Sequence, residues 1–199
     1  MHMPDWLRFP LVLTVVGLIS AASLAGLNSF TAPKRAEEKA NETKQALDWV
    51  IPEAAKFEKR ETPQFPYFVA LDDNGTVIGY AAEGSTGGYG GEIHVVVGVD
   101  RSFKVLGIKV LSQRETPGLG DKVEEVKSKK TWGTVIAGTS PDESGLKPWF
   151  QDQFKGVQAP ARLKRDGGTI EAITGATISS KATVEAVNSA VEKLRLTVK

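Results

Sequence analysis

The chain has 199 residues, 41% of them hydrophobic, with 25 Lys+Arg against 24 Asp+Glu. It contains no cysteine and 2 histidines, which excludes a disulfide framework, a thiolate zinc site, an Fe–S cluster, a thioether-attached haem, a catalytic thiol and a multi-histidine metal centre. A formal net charge of +1 gives no electrostatic footprint for nucleic acid, and any redox role would need a borrowed organic carrier.

The first element in the chain is an uncharged run from Phe9 to Pro33, FPLVLTVVGLISAASLAGLNSFTAP, bounded by Arg8 and Lys34. As a helix it would reach about 37 Å, enough for a hydrocarbon core of about 30 Å. Gly17, Ser20, Ala21, Ala22, Ser23, Ala25 and Gly26 suit close helix packing in a bilayer. A cleaved signal peptide is the competing reading, because Ser23-Leu24-Ala25 has small-x-small character; the length of the run favours a retained anchor. Arg8 before the segment, and Lys34, Arg35 and Lys39 diluted by Glu37 and Glu38 after it, leave the orientation open.

The predicted organisation is a tail over 1–8, a transmembrane helix over 9–33, a helical stalk and linker over 34–64 and a globular domain over 65–199. Pro33 stands at a helix-start position, and Ala36, Ala40, Leu47 and Val50 fall near one face of a helix ending near residue 50. Pro52, Pro63 and Pro66 punctuate a linker. Tyr67–Leu71, the turn Asp72-Asp73-Asn74-Gly75 and Thr76–Tyr80 read as a hairpin. Glu92–Val99 is a third strand, Asp100-Arg101-Ser102 a turn, Phe103–Leu111 a fourth strand and Ile170–Ile173 a last one. A helix from Ser179 to about Leu196 carries Val184, Val187, Val191 and Leu194 on one face. The expected class is α+β, an antiparallel sheet with packed helices, behind one N-terminal transmembrane helix.

Apart from Gly17 and Gly26, every glycine lies between Gly75 and Gly175, and three glycine-bearing loops stand out. Gly84–Gly91 permits positive φ and close backbone approach, and reads equally as a flexible hairpin loop or a ligand loop. Arg114–Lys122 holds a Pro-Gly turn and displays Leu119 between two glycines, where it would cover a flat ring or simply sit in a connection. Thr174–Ser180 joins the last strand to the last helix; Thr177 or Ser179 there would serve as an ordinary N-cap, or the helix N-terminus would receive a phosphate. Walker, dinucleotide-binding, HExxH and GxSxG patterns are absent from the sequence, and His94 reads as structural.

TGATISS at a strand–helix junction looks like the flavinylation motif of bacterial proteins that carry covalent FMN. With ETPGLGDK upstream, GGYGG before a strand and an N-terminal apolar segment, residues 9–199 resemble the family of G subunits of the Rnf complex, a membrane ferredoxin:NAD+ oxidoreductase. The C subunit of the sodium-pumping NADH:quinone oxidoreductase is a related, longer protein. The resemblance implies one covalent FMN per chain, joined by a phosphoester to Thr177 and installed by a separate flavin transferase that uses FAD and Mg2+. Thr174, Gly175, Ala176 and Ile178 complete the motif. Glu115, Thr116, Gly118 and Leu119 would lie against the isoalloxazine ring. Gly87, Gly88 and Tyr89, with Ser179 and Ser180, would lie near the phosphate and ribityl chain. Glu171 stands where the family usually has Asp, keeping the charge on a side chain one methylene longer. From the residues alone, Trp149 is the leading candidate for an aromatic neighbour of the ring and Trp132 a second; core packing is the competing role of both.

The resemblance further implies membrane partners within the complex and an FMN domain on the extracytoplasmic, periplasmic side of the bacterial inner membrane, with lipid around the anchor. No residue is expected to act as a catalyst and no metal to be bound. Service in the NADH:quinone reductase or another extracytoplasmic flavin chain is the alternative within redox biology. A membrane-anchored, non-enzymatic ligand-binding module is the alternative outside it.

Overall fold

The structure is a computed structural model and describes residues 5–63, 65–125 and 148–198. The chain divides into two compact units, Met1–Thr43 and Lys44–Lys199. The first is the leading part of helix α1 (Asp5–Val50), which is long and apolar enough to cross a membrane. Pro33 does not start a helix; it lies inside α1, as does Pro10. Hydroxyls in the apolar run are bonded one turn back, Thr14 to the Pro10 carbonyl at 2.8 Å and Ser23 to that of Ile19 at 2.8 Å. Such back-bonding removes the cost of placing an unpaired hydroxyl in hydrocarbon.

The second unit is built on a five-stranded antiparallel meander in the order β1-β2-β3-β4-β5. The strands are β1 (Lys56–Glu61), β2 (Pro66–Leu71), β3 (Val77–Gly87), β4 (Glu92–Asp100) and β5 (Val105–Ser112). A short helix α2 (Trp149–Asp152) and the long helix α3 (Thr177–Thr197) follow. This is the expected α+β class. The first hairpin turn forms as read: Asp72 Oδ1 accepts from the N–H of Asn74 at 2.9 Å and of Thr76 at 2.7 Å.

Side chains alternate across β4 and divide the core between two faces. Ile93, Val95, Val97 and Val99 pack with Ala182, Val187, Val191 and Leu194 of α3. On the opposite face, Val96, Ala70 and Ala81 receive Ala46, Leu47, Val50 and Ile51, the end of α1 and the residue after it. Full burial of each such Leu, Val or Ile contributes about 1.5–3 kcal/mol.

Three expectations besides that for Pro33 are corrected. The segment read as a linker contains β1, an edge strand whose sequence KFEKRE hides its pairing partner behind charge. Ile170–Ile173 is not a strand: Ile170 makes a single bridge to Leu163, and both Ile170 and Ile173 are buried in the core under α3. The glycine loop begins later than read, because Gly84–Gly87 completes β3 in register with Glu92–Val95.

In-strand glycines explain how closely helices approach the sheet. A Cβ on Gly84 would stand 2.2 Å from the Ala186 carbonyl oxygen of α3. A Cβ on Gly98 would stand 2.7 Å from Ile51 Cγ1. We expect Gly84→Ala to force α3 away from β3 and to destabilise the full chain by about 1–3 kcal/mol, read as a lowered thermal midpoint in detergent.

Asp100 organises the β4–β5 turn, its Oδ1 accepting from Ser102 N at 2.7 Å, Ser102 Oγ at 2.7 Å and Lys104 N at 3.0 Å. Partial burial pushes its pKa up, but these hydrogen bonds and the Lys104 charge outweigh that and hold the carboxyl below the ordinary aspartate value. Its contribution is therefore present above the unfolded pKa of about 3.9 and lost as pH falls through the folded one. Melting wild type and Asp100→Asn across pH should give a gap that is widest above about pH 5 and closes in acid, below about 1 kcal/mol after solvent screening.

Candidate functional site

The three glycine-bearing loops meet at one end of the second unit and enclose a cavity of about 550 Å3. Its walls are Tyr89 from the β3–β4 turn, Glu115, Thr116, Leu119 and Gly120 from the segment after β5, and Gly175–Ser179 at the start of α3. Pockets for cofactor-sized ligands span about 300–1,000 Å3, so the space suits one.

Glu115 holds this end together. The residue is 6% exposed. Its Oε1 accepts from the N–H of Gly90 at 3.0 Å, and its Oε2 accepts from Ser179 Oγ. One carboxylate thus ties the β3–β4 turn, the loop after β5 and the first turn of α3. Among the described residues no lysine or arginine pairs with it. The Gly90 N–H and the Ser179 hydroxyl satisfy one oxygen each of the buried carboxyl group.

Glycines make room for that carboxylate. A Cβ on Gly88 would lie 2.2 Å from Glu115 Oε1, and one on Gly120 would lie 2.5 Å from Ser179 Oγ and 2.7 Å from Glu115 Oε2. A Cβ on Gly90 would strike the Arg114 carbonyl oxygen at 2.1 Å. Gly118 adopts φ +76° in the Thr116–Leu119 turn, where the Leu119 N–H reaches the Thr116 carbonyl at 3.1 Å. The turn aims Leu119 toward the third loop, with Cδ2 at 3.2 Å from a Cβ placed on Gly175.

Thr177 is the first residue of α3. The residue before it, Ala176, offers no side-chain cap, and the first turn contains no acidic residue. Neither Thr177 nor Ser179 is therefore the N-cap that one reading of the sequence allows. The helix N-terminus keeps its partial positive charge facing the cavity wall that Thr177 forms.

Of the residues expected at the site, Tyr89, Glu115, Thr116, Leu119, Gly175, Ala176, Thr177, Ile178 and Ser179 line the cavity. Gly87, Gly88, Gly118, Thr174 and Ser180 do not line it, although Gly88 and Gly118 shape its walls. Ser180 is fully buried; its Oγ accepts from Ile173 N at 2.9 Å and donates to the Ala176 carbonyl at 2.9 Å, pinning the TGAT loop to the helix. Trp149 is not on the cavity wall either: it meets Phe150 edge-on at 5.8 Å, at the margin of the core, in the packing role that competes with a ring contact. Trp132 lies outside the described residues. Gly120 is a cavity residue absent from those expected; its signal is the second glycine beside Leu119, which the close approach of Ser179 and Glu115 explains.

The cavity mouth is apolar. Tyr89 is 72%, Leu119 44% and Ile178 56% exposed, and outside α1 only Leu196 joins them among the exposed large hydrophobic side chains described. A soluble surface seldom gathers its apolar side chains around one opening unless a ligand or partner covers them.

Comparison with known proteins agrees with this geometry. An FMN-binding domain model matches residues 88–192, from the first loop through most of α3. The G subunit of an ion-translocating oxidoreductase complex from Methanosarcina acetivorans is 32% identical, covering 96% of this chain and 96% of that protein. The G subunit of the Na(+)-translocating ferredoxin:NAD(+) oxidoreductase complex of Acetobacterium woodii is 30% identical over 94% and 92% of the two chains. The corresponding G subunit of Shewanella piezotolerans is 32% identical over 92% and 87%. Among solved structures, Shewanella oneidensis NqrC aligns with a TM-score of 0.48 at 21% identity, over 73% of this chain and 70% of that one. With the domain matched over more than half its length and relatives aligned nearly end to end, the chain belongs to the G subunits of ion-translocating oxidoreductase (Rnf) complexes and carries their FMN-binding domain.

Proposed function

We propose that the chain carries one FMN covalently, as a phosphoester on Thr177, and passes electrons within a membrane-bound ferredoxin:NAD+ oxidoreductase complex. The observation that carries this reading is the position of Thr177: first residue of an uncapped helix, on the wall of a cavity otherwise formed by the glycine loops. The residues present fit the group. The cavity is large enough, its mouth is apolar as a flat ring requires, and the helix N-terminus favours a phosphate. When bound, the flavin supplies the redox chemistry by taking up and releasing electrons.

The chain's own part is to hold and orient. A threonine hydroxyl is a weak nucleophile without a base. Glu115 is the carboxylate on the same wall, and its oxygens are engaged by Gly90 and Ser179. Activation then falls to a flavin transferase using FAD and Mg2+. The Thr177 Oγ–phosphorus bond forms, the phosphoanhydride of FAD breaks, AMP leaves, and the hydroxyl proton goes to a base of the transferase. Thr177 is an acceptor and not a catalyst. Leu119, Ile178 and Tyr89 line the cavity and would border a ring held there, limiting its contact with water.

In this reading α1 is a single-pass anchor in the bacterial inner membrane, the flavin domain over 65–199 faces the extracytoplasmic side, and the neighbours are other membrane subunits of the complex. The names and near full-length alignment of the relatives support a place in such a complex.

Protein made with its native partners and transferase should gain the mass of FMN less water on Thr177 and fluoresce in a denaturing gel. Thr177→Val should lose all covalent flavin, and Thr177→Ser should keep some; an unmodified Thr177 in the native preparation would refute the linkage. Glu115→Ala should leave the Gly90 N–H and Ser179 hydroxyl unpaired, costing about 1–3 kcal/mol in a thermal melt and lowering flavin occupancy.

A further inference from the structure

A second cavity, of about 260 Å3, also has Thr177 in its lining. It is lined by Leu163, Arg165, Asp166, Thr177, Ile178 and Lys181, so it shares Thr177 and Ile178 with the first. Arg165 belongs to the turn of 3-10 helix Lys164–Asp166, which ends at Gly167 in the left-handed region. Lys181 stands four residues after Thr177 on α3, and this spacing places it on the same face. Two cations are thereby brought beside the first turn of a 21-residue helix.

Within the lining itself two cations, Arg165 and Lys181, stand against one carboxylate, Asp166. A helix N-terminus disfavours cations, and a lysine near it is repelled unless an anion intervenes. The first turn has no acidic residue of its own; the Glu115 carboxyl that accepts from Ser179 lines the larger cavity and not this one. Asp166, the carboxylate in the lining, is engaged among the described residues by Arg165, whose Nε lies 3.6 Å from its Oδ1. Lys181 reaches Glu185, one turn further along the helix, at 3.7 Å. Both pairs are long and their side chains mostly exposed, so neither firmly holds its cation. The charge around this cavity favours an anion beside Thr177.

We infer that Arg165 and Lys181 form a phosphate subsite beside Thr177 that receives the phosphate of the flavin nucleotide, while the ring system occupies the larger cavity. The inference rests on the FMN reading above and adds the residues that discriminate a nucleotide from the bare flavin. A phosphoryl group joined to Thr177 Oγ would sit where the two cavities share Thr177 and Ile178. Guanidinium and ammonium groups there neutralise phosphate charge before the ester forms and fix the phosphoryl group beside its acceptor. Arg165 and Lys181 are positioning residues, and neither transfers a proton.

The test uses the full-length chain made without transferase, so that Thr177 is free, and titrates it in detergent with FMN and with riboflavin. Wild type should bind FMN about tenfold more tightly than riboflavin, from two exposed cations and one helix end. In Arg165→Gln/Lys181→Gln that preference should fall to within twofold, with riboflavin affinity and the thermal midpoint unchanged. The charge-conserving Arg165→Lys/Lys181→Arg should restore most of it. Millimolar inorganic phosphate should compete with FMN and leave riboflavin unaffected, tying the preference to the phosphate. Equal affinities in wild type, or a preference that survives in the glutamine variant, overturn the subsite. The mass of Thr177 in chain made with the transferase is read separately: its failure to rise defeats the covalent linkage, whereas loss of the FMN preference defeats the subsite alone.

Discussion

The carboxylate of Glu115 is the constraint on which the site depends. Three segments far apart in sequence reach it: a hairpin turn through the Gly90 N–H, the loop that bears Glu115 itself, and the first turn of α3 through Ser179. A buried carboxyl group is tolerable only when its oxygens are hydrogen-bonded, and these two donors meet that need. Glycines 88 and 120 follow from the same requirement, because any side chain there would occupy the carboxylate's place. Thr177 inherits its position from Ser179, two residues on in the same helix turn. The geometry of the Thr177 hydroxyl is thus set by a contact made elsewhere.

Much of the fold is legible in the sequence because its elements obey simple periodicities. The first hairpin carries alternation and an Asp-Asn-Gly turn, and α3 carries a 3-4-3 apolar face; both form as the pattern predicts. The strand β1 is hidden because an edge strand protects itself with Lys, Arg and Glu, the same residues that mark a solvated linker. Ile170 and Ile173 mislead in the opposite way. Two apolar residues three apart imitate a short strand, whereas both sink into the core from an irregular segment held by backbone bonds between Lys164 and Ile170 and between Ile170 and Arg162.

The site is legible through its motifs, and the glycine excess only by half. Gly88, Gly90 and Gly120 do serve the cavity walls. Gly84, Gly98 and Gly107 instead lie within strands and admit α3 on one face and the end of α1 on the other. Composition does not separate these uses, because both are close approaches of backbone and differ only in what approaches. Trp149 shows the same limit: a large aromatic near a predicted site has no local signal that distinguishes a ring neighbour from a core residue, and here it joins Phe150 at the margin of the core.

The seating of Ala46, Leu47, Val50 and Ile51 on the second sheet face sets where the chain can be cut. Those residues continue the helix that begins in the apolar run, yet they complete the core of the folded unit, which begins at Lys44. A fragment starting at residue 65 would lose β1 and strip Ala70, Ala81 and Val96 of their cover, with Phe68, Ile78, Leu106 and Leu111 around them. Exposed in water, that sheet face would be adhesive and its new β2 edge unguarded. The border between the run that is long and apolar enough to span a bilayer and the apolar residues of the core therefore falls inside one helix, and a form of the domain without that run has to keep the helix's last two turns.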